Sequence, residues 1–252
     1  RYLPGMLTPT KAYWQLARAP RYSLPFALPL LLLYETLAFA LTRDAFLGVR
    51  NGADVMLKSV FVWMGGRNGL AAFGLLLLGV GGWLVVRDLR RAGAPKPRVF
   101  LLMALESFGW ALAFGWVAGT LTSLLLRGVP LALGFAAARM DLPTQLMISL
   151  GAGLYEELLF RVLLVAGLAY GAQRLLDWSP LASGVLAAVV GALVFSAFHY
   201  IGPLGDQLTL GSFTFRAVAG LLFSGLYLTR GFGITAWTHA LYDVILVVMG
   251  AG

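Results

Sequence analysis

Long apolar runs separated by short polar and basic stretches set the pattern of this chain. The runs lie near 24–41, 69–86, 99–126, 144–170, 181–201, 213–229 and 232–250. Each approaches the ~20 residues that a helix needs to cross ~30 Å of hydrocarbon. A soluble core of this size would instead mix polar and apolar faces along each element. The pattern therefore predicts an all-α, polytopic membrane helix bundle of seven or eight transmembrane helices. The segment 52–64, GADVMLKSVFVWM, is shorter and carries Asp54 and Lys58, which predicts either an interfacial helix or the eighth span. The segment 128–140 is open in the same way. With no internal repeat and no low-complexity linker, the chain reads as one integral membrane domain over 1–252. N-terminal spans occupy 1–143 and a core occupies 144–250.

Composition agrees. Of 252 residues, 60% are hydrophobic and 12% charged, about half the charged share of a soluble domain. There is no cysteine, which excludes disulfides, a thiol nucleophile and thiolate metal sites. The net charge of +8 invites a nucleic-acid partner, but the bases sit between the apolar runs. Arg1, Lys11, Arg18 and Arg21 precede the first run, and Arg87, Arg90, Arg91, Lys96 and Arg98 crowd the loop after the second. This is the positive-inside pattern; it expects a cytoplasmic N-terminus and no nucleic acid. The first run is long and others follow it, so no cleavable signal peptide is expected.

Against this background the polar residues inside the runs stand out: Glu35, Glu106, Glu156, Glu157, Arg161, His199, His239 and Asp243. A charge at mid-membrane costs roughly 2.5–3.5 kcal/mol on insertion scales, so such residues face a bundle interior or a watery cavity. Helical spacing sorts them. Glu157 and Arg161 are four apart and can neutralise each other on one face. Glu156 points about 100° away and is left for another partner. His239 and Asp243 share a face, as do Phe195 and His199. These two are the only histidines of the chain, and a buried carboxylate beside a histidine is what water activation requires. One such cluster would read as polar packing; three clusters that hold both histidines favour chemistry. Glu35 predicts an interfacial position or a polar partner such as Tyr34. Glu106, with Ser107, predicts interhelical glue.

The segment EELLFR at 156–161 resembles the EExxxR motif of the CAAX-protease and bacteriocin-processing family of intramembrane proteases, also called Abi proteins or type II CAAX prenyl endopeptidases. FSAFH at 195–199 resembles its FxxxH motif, and HALYD at 239–243 its HxxxN/D motif. The three occur in the family's order, each on its own apolar run. The resemblance implies an intramembrane endopeptidase of glutamate type, formerly described as a metalloprotease. In it Glu156 and His199 activate a water, His239 and Asp243 stabilise the oxyanion, and Glu157 with Arg161 supports them. It also implies a membrane-anchored or exported protein or peptide as substrate, in contact with the lipid bilayer. No cofactor is favoured; the alternative is zinc or another divalent metal on Glu156, His199, His239 and Asp243. Two positions depart from the family pattern. Val162 follows Arg161 where glycine is common. Asp243 stands where many members have asparagine, and an ionised carboxylate cannot donate to an oxyanion. Asp243 is thus expected either to be protonated or to orient His239 and favour its charged form, and the second role is preferred because a charged His239 is a good oxyanion donor. The Ala-, Gly-, Arg- and Leu-rich composition points to a high-GC bacterium, hence to a bacterial inner (plasma) membrane.

Other readings fit less well. Ser183 and His199 lie 16 residues apart on one helix, roughly 24 Å, too far for a serine–histidine dyad. Asp206, in PLGD, reads as a loop residue, which argues against an aspartyl pair with Asp243. A proton-coupled transporter or a non-catalytic membrane scaffold could use the same polar cluster, but the chain shows no inverted repeat.

Overall fold

The computed structural model describes residues 9–42, 48–127, 140–202 and 205–250. The open segment 128–140 lies outside them except for Met140. Among the described residues the chain is helical with no strand. Helices α1 (Pro9–Arg18), α2 (Pro20–Thr42), α3 (Gly52–Gly65), α4 (Arg67–Ala92) and α5 (Pro97–Leu126) come first. Next is one uninterrupted helical run. It comprises α6 (Leu142–Gly151), a π-helical stretch (Ala152–Val165) and α7 (Ala166–Leu175). Helices α8 (Pro180–Phe198), α9 (Leu210–Arg230) and α10 (Phe232–Val248) complete the fold.

Five of these helices, α2, α4, α5, α8 and α9, are long and apolar enough to cross a membrane. This is fewer than the seven or eight expected, for physical reasons visible in the two other runs. The run 144–170 changes helix type midway and carries Glu156, Glu157 and Arg161, and α10 has only 17 residues. Helix α3 has 14 residues, about 21 Å, and is too short to cross alone. It folds back on α4 through Gly66, whose φ of 55° suits glycine. A side chain at Gly69 would strike the Phe61 carbonyl.

Contacts between distant segments gather several helix ends on one side of the bundle. Arg21 Nη1 lies 3.2 Å from Asp88, the Lys96 N–H donates to Tyr22 Oη, and the Gly233 N–H donates to Ser23 Oγ. Arg230 pairs with Glu106 at 2.6 Å through two nitrogens, and Tyr13 Oη donates to the same carboxylate at 2.6 Å. These ties bring together α1, the starts of α2, α5 and α10, and the ends of α4 and α9. Glu106 is thus glue, as its sequence setting suggested, with a buried arginine as partner. An apolar cluster of Ala17, Tyr22, Val99, Met103, Leu226 and Ile234 seals this end.

The π-helical stretch crosses α10 and α8 at close range. Its Gly153 meets the Ala236 carbonyl and Ala240 of α10, where an added Cβ would lie 2.4 Å from the oxygen. Gly191 of α8 similarly faces Val165, and Gly220 of α9 faces Ala192. Small residues let these backbones approach, and the approach brings the polar side chains together.

Candidate active site

Glu156 and Glu157 occupy the second turn of the π-helical stretch. Bonds spanning five residues widen the turns there relative to an α-helix, a departure from the regular spacing assumed from sequence, and such stretches recur at functional sites. Both carboxylates are buried, Glu157 completely. They have different partners.

Glu157 Oε1 lies 3.2 Å from Arg161 Nη1, the pair expected from the four-residue spacing. The same oxygen is 2.7 Å from His239 Nδ1. Arg161 is 1% exposed, donates from Nη2 to the Gly220 carbonyl at 3.4 Å, and lies over the Phe195 ring at 4.4 Å and the Phe223 ring at 5.3 Å. The two aromatic faces and the carboxylate offset its charge in a buried site. Phe223 also stacks on the His239 ring, with centroids 4.3 Å apart and planes 24° apart. Glu157 at Nδ1 and Phe223 on its face therefore fix the His239 ring, and Arg161 in turn contacts both Glu157 and Phe223.

Glu156 turns to the other side. Its Oε1 accepts from Asn51 Nδ2 at 2.8 Å, while Oε2 has no hydrogen-bond partner among the described residues and lies 3.8 Å from His199 Nε2. His199 follows the last residue of α8. Its Nδ1 lies 2.8 Å from the Phe195 carbonyl. A carbonyl only accepts, so Nδ1 carries a proton and, in the neutral ring, Nε2 presents its lone pair toward Glu156.

Asp243 stands one turn beyond His239 on α10, with Oδ2 3.5 Å from His239 Nε2. The structure thus brings Glu156, Glu157, Arg161, His199, His239 and Asp243 into one cluster. The expectation that Asp243 orients His239 needs modification: the shorter contact is to Glu157. A carboxylate faces each ring nitrogen, and both arrangements suit a positively charged imidazolium. Among the described residues, no group of three or more His, Asp or Glu is arranged to hold a metal ion.

Asn51 was not legible as a site residue. It lies outside every apolar run, immediately before α3. Its Oδ1 accepts from the Ala53 N–H and caps the helix, its own N–H donates to Tyr34 Oη, and its amide reaches Glu156. The only trace in the sequence is a capping residue before a helix, which carries no hint of a partner 105 residues away. Behind Asn51 lies a charge network. Glu35 pairs with Arg50 at 3.1 Å and Lys58 at 2.7 Å, and Asp54 pairs with the same two bases at 3.0 and 2.7 Å. Tyr34 Oη donates to Asp54, and Tyr155 Oη, beside Glu156 in sequence, donates to Glu35 at 2.7 Å. Tyr34 is therefore the partner of Asp54 and not of Glu35. The core over 144–250 is completed by the N-terminal half.

Residues 138–245 match the family model described as type II CAAX prenyl endopeptidase, Rce1-like. The matched stretch contains all three motifs and ends just after Asp243. No curated protein and no solved structure matches the chain. The five apolar helices mark an integral membrane protein, and its C-terminal core is similar to the CAAX-type intramembrane proteases over the matched residues.

Proposed function

We propose that the protein is an endopeptidase that hydrolyses a peptide bond of a membrane-anchored or exported substrate, with Glu156 as general base. One observation carries the reading: a buried carboxylate oxygen without a protein partner, Glu156 Oε2, faces His199 Nε2 across 3.8 Å. That separation is too long for a direct hydrogen bond and suits a shared water. A water that donates one hydrogen to Glu156 and the other to the His199 lone pair keeps its own lone pairs for a carbonyl carbon. Glu156 takes the proton as the C–O bond forms, and returns it to the leaving amine as the C–N bond breaks.

The developing oxyanion needs donors. His239, held by Glu157 at Nδ1, supplies Nε2–H in its charged form, and Asp243 beside Nε2 holds that form. Arg161 offsets the charge of Glu157. The ring is thus fixed before substrate arrives, so little reorganisation is needed in the transition state. The chemistry uses no cofactor in this reading. The alternative, zinc or another divalent metal, would draw on Glu156, His199, His239 and Asp243, and metal removal tests it.

Topologically, the helical run α6–α7 and helix α10 cross the membrane with the five longer helices, giving seven spans, and α3 is a short helix at the membrane border. Residues 144–250 form the catalytic core and 1–143 the surrounding spans of one domain. The localisation that follows is a plasma membrane with the N-terminus in the cytoplasm.

The test is a survey of protein termini in membranes from cells making the wild-type chain or Glu156→Gln at matched levels. Thermal melting in detergent establishes that the variant folds. Specific termini that vanish in the variant support the protease. Unchanged termini with a lost cellular phenotype support a scaffold or transporter instead.

A further inference from the structure

The fold gives the cluster a direction. At one end of the bundle lie Arg18 and Arg21, beside the ends of α4 and α9 and the starts of α5 and α10, as the Arg21–Asp88, Lys96–Tyr22, Gly233–Ser23 and Arg230–Glu106 contacts require. Arg87, Arg90, Arg91, Lys96 and Arg98 lie on the same end, in and beside the short α4–α5 connection. The opposite end carries fewer bases: Arg67 and Arg127 at the far ends of α4 and α5, and Arg50, Lys58 and Arg216, which pair with Glu35, Asp54 and Asp206. A dense basic belt on one side marks the cytoplasmic face.

Measured from that belt, the site residues become more exposed with distance. His239 is seven residues into α10, roughly 10 Å from its basic end, and its side chain is 6% exposed. Asp243, one turn further away, is 27% exposed. His199 closes the far end of α8 and is 23% exposed, against 8% for Glu156 behind it. Toward the belt the route is shut by Tyr22, Met103, Leu226 and Ile234. On the far side, beyond His199, lies a polar network, with Tyr200 bonded to both Arg216 and Ser212, and Asp206 paired with Arg216.

We infer that the site opens on the face opposite the basic belt, the outer face of the membrane. Its substrate is then an exported chain whose scissile bond lies at or just beyond the outer hydrocarbon boundary. This rests on the protease reading above. It also narrows that reading, because a substrate whose cleavage site stays in the cytoplasm cannot reach Glu156.

The absence of cysteine makes the test direct. Leu208→Cys, on the far-side loop and 68% exposed, and Ala94→Cys, on the exposed α4–α5 connection, are made separately. Each is treated with a membrane-impermeant maleimide in intact spheroplasts and after permeabilisation. Ile201→Cys, 71% exposed, is a second outer reporter should Leu208→Cys accumulate poorly. The expected result is labelling of Leu208→Cys in intact spheroplasts and of Ala94→Cys only after permeabilisation. The reverse pattern overturns the orientation. The same spheroplasts, with wild type or Glu156→Gln, are surveyed for termini. Glu156-dependent termini on outer segments of exported proteins support the substrate class, and such termini confined to cytoplasmic segments overturn it. Reversed labelling with Glu156-dependent termini retained sinks the orientation alone. Expected labelling with no Glu156-dependent termini sinks the protease reading alone.

Discussion

Asn51 Nδ2 donates to Glu156 Oε1 at 2.8 Å, across 105 residues of sequence. The bond occupies one carboxylate oxygen and leaves the other to His199, so a residue outside the three motifs sets which way the proposed base points.

Replacing that amide tests its role. Asn51→Ser keeps a side-chain oxygen to cap α3 but cannot reach Glu156. A hydrogen bond to a charged group contributes about 1.5–3 kcal/mol, so kcat is expected to fall roughly tenfold to a hundredfold with KM nearly unchanged. Melting temperature should stay close to wild type. Asn51→Ala also loses the cap, at about 1 kcal/mol, and should lower both. A purely structural Asn51 would lower stability in both variants and leave kcat of the folded fraction intact.

Glu157 and Arg161 should behave as a unit. Glu157→Leu strands a buried guanidinium and is expected to cost about 3–5 kcal/mol of stability. Arg161→Leu leaves the carboxylate with His239 as its remaining partner and is expected to cost less. The double variant removes both charges and should recover most of the stability, but not the activity, because His239 loses its hold at Nδ1. Denaturant titration in detergent micelles, with peptidase assays on the same samples, reads both. Full activity in the double variant would show that His239 needs no carboxylate at that nitrogen.

Gly153 sits where the π-helical stretch crosses α10, with no room for a Cβ against the Ala236 carbonyl. Gly153→Val should push α10 outward, lengthen the 2.7 Å Glu157–His239 contact and abolish activity. Gly225, whose Cβ would meet nothing within 4 Å, is the control; Gly225→Ala should be active and at least as stable as wild type.

At the basic end, Tyr13, in α1 and outside the proposed spans, donates to Glu106 of α5. Burial first, and the Glu106 hydrogen bond second, hold its phenol above the ordinary value of 10.0. A raised folded value means that the contribution is complete below pH 10 and declines as pH climbs from there toward the folded value. Melting temperature should therefore drop above about pH 10 in wild type, and less steeply in Tyr13→Phe, which should remain active at neutral pH. Equal slopes for the two proteins would remove Tyr13 as the cause.

Metal dependence is tested by chelation. Purified protein dialysed against 1,10-phenanthroline is expected to keep its peptidase activity, since Glu156 and His199 act on water directly in the proposed mechanism. Loss of activity that returns with added zinc would move the site to the divalent-metal alternative.

The sequence by itself determined the membrane class and the identity of the motif residues. Apolar runs near membrane length can be read locally, because each must satisfy the same slab of hydrocarbon. Four-residue spacings likewise announced the Glu157–Arg161 and His239–Asp243 pairs, since neighbours on one helix are fixed by backbone geometry alone. What the spacing could not give was any contact between helices. That Glu157 holds His239, that Arg161 rests between Phe195 and Phe223, and that Asn51 reaches Glu156 all depend on how α3, α8, α9 and α10 cross the π-helical stretch. The π-helical turns themselves were also hidden, because their hydrophobic pattern resembles that of an ordinary helix. Crossings are set by where small residues such as Gly153 and Gly220 allow backbones to meet, and that is a property of two surfaces together. The direction of the site had the same origin: the bases are visible along the chain, but only the packed bundle sets them opposite His199.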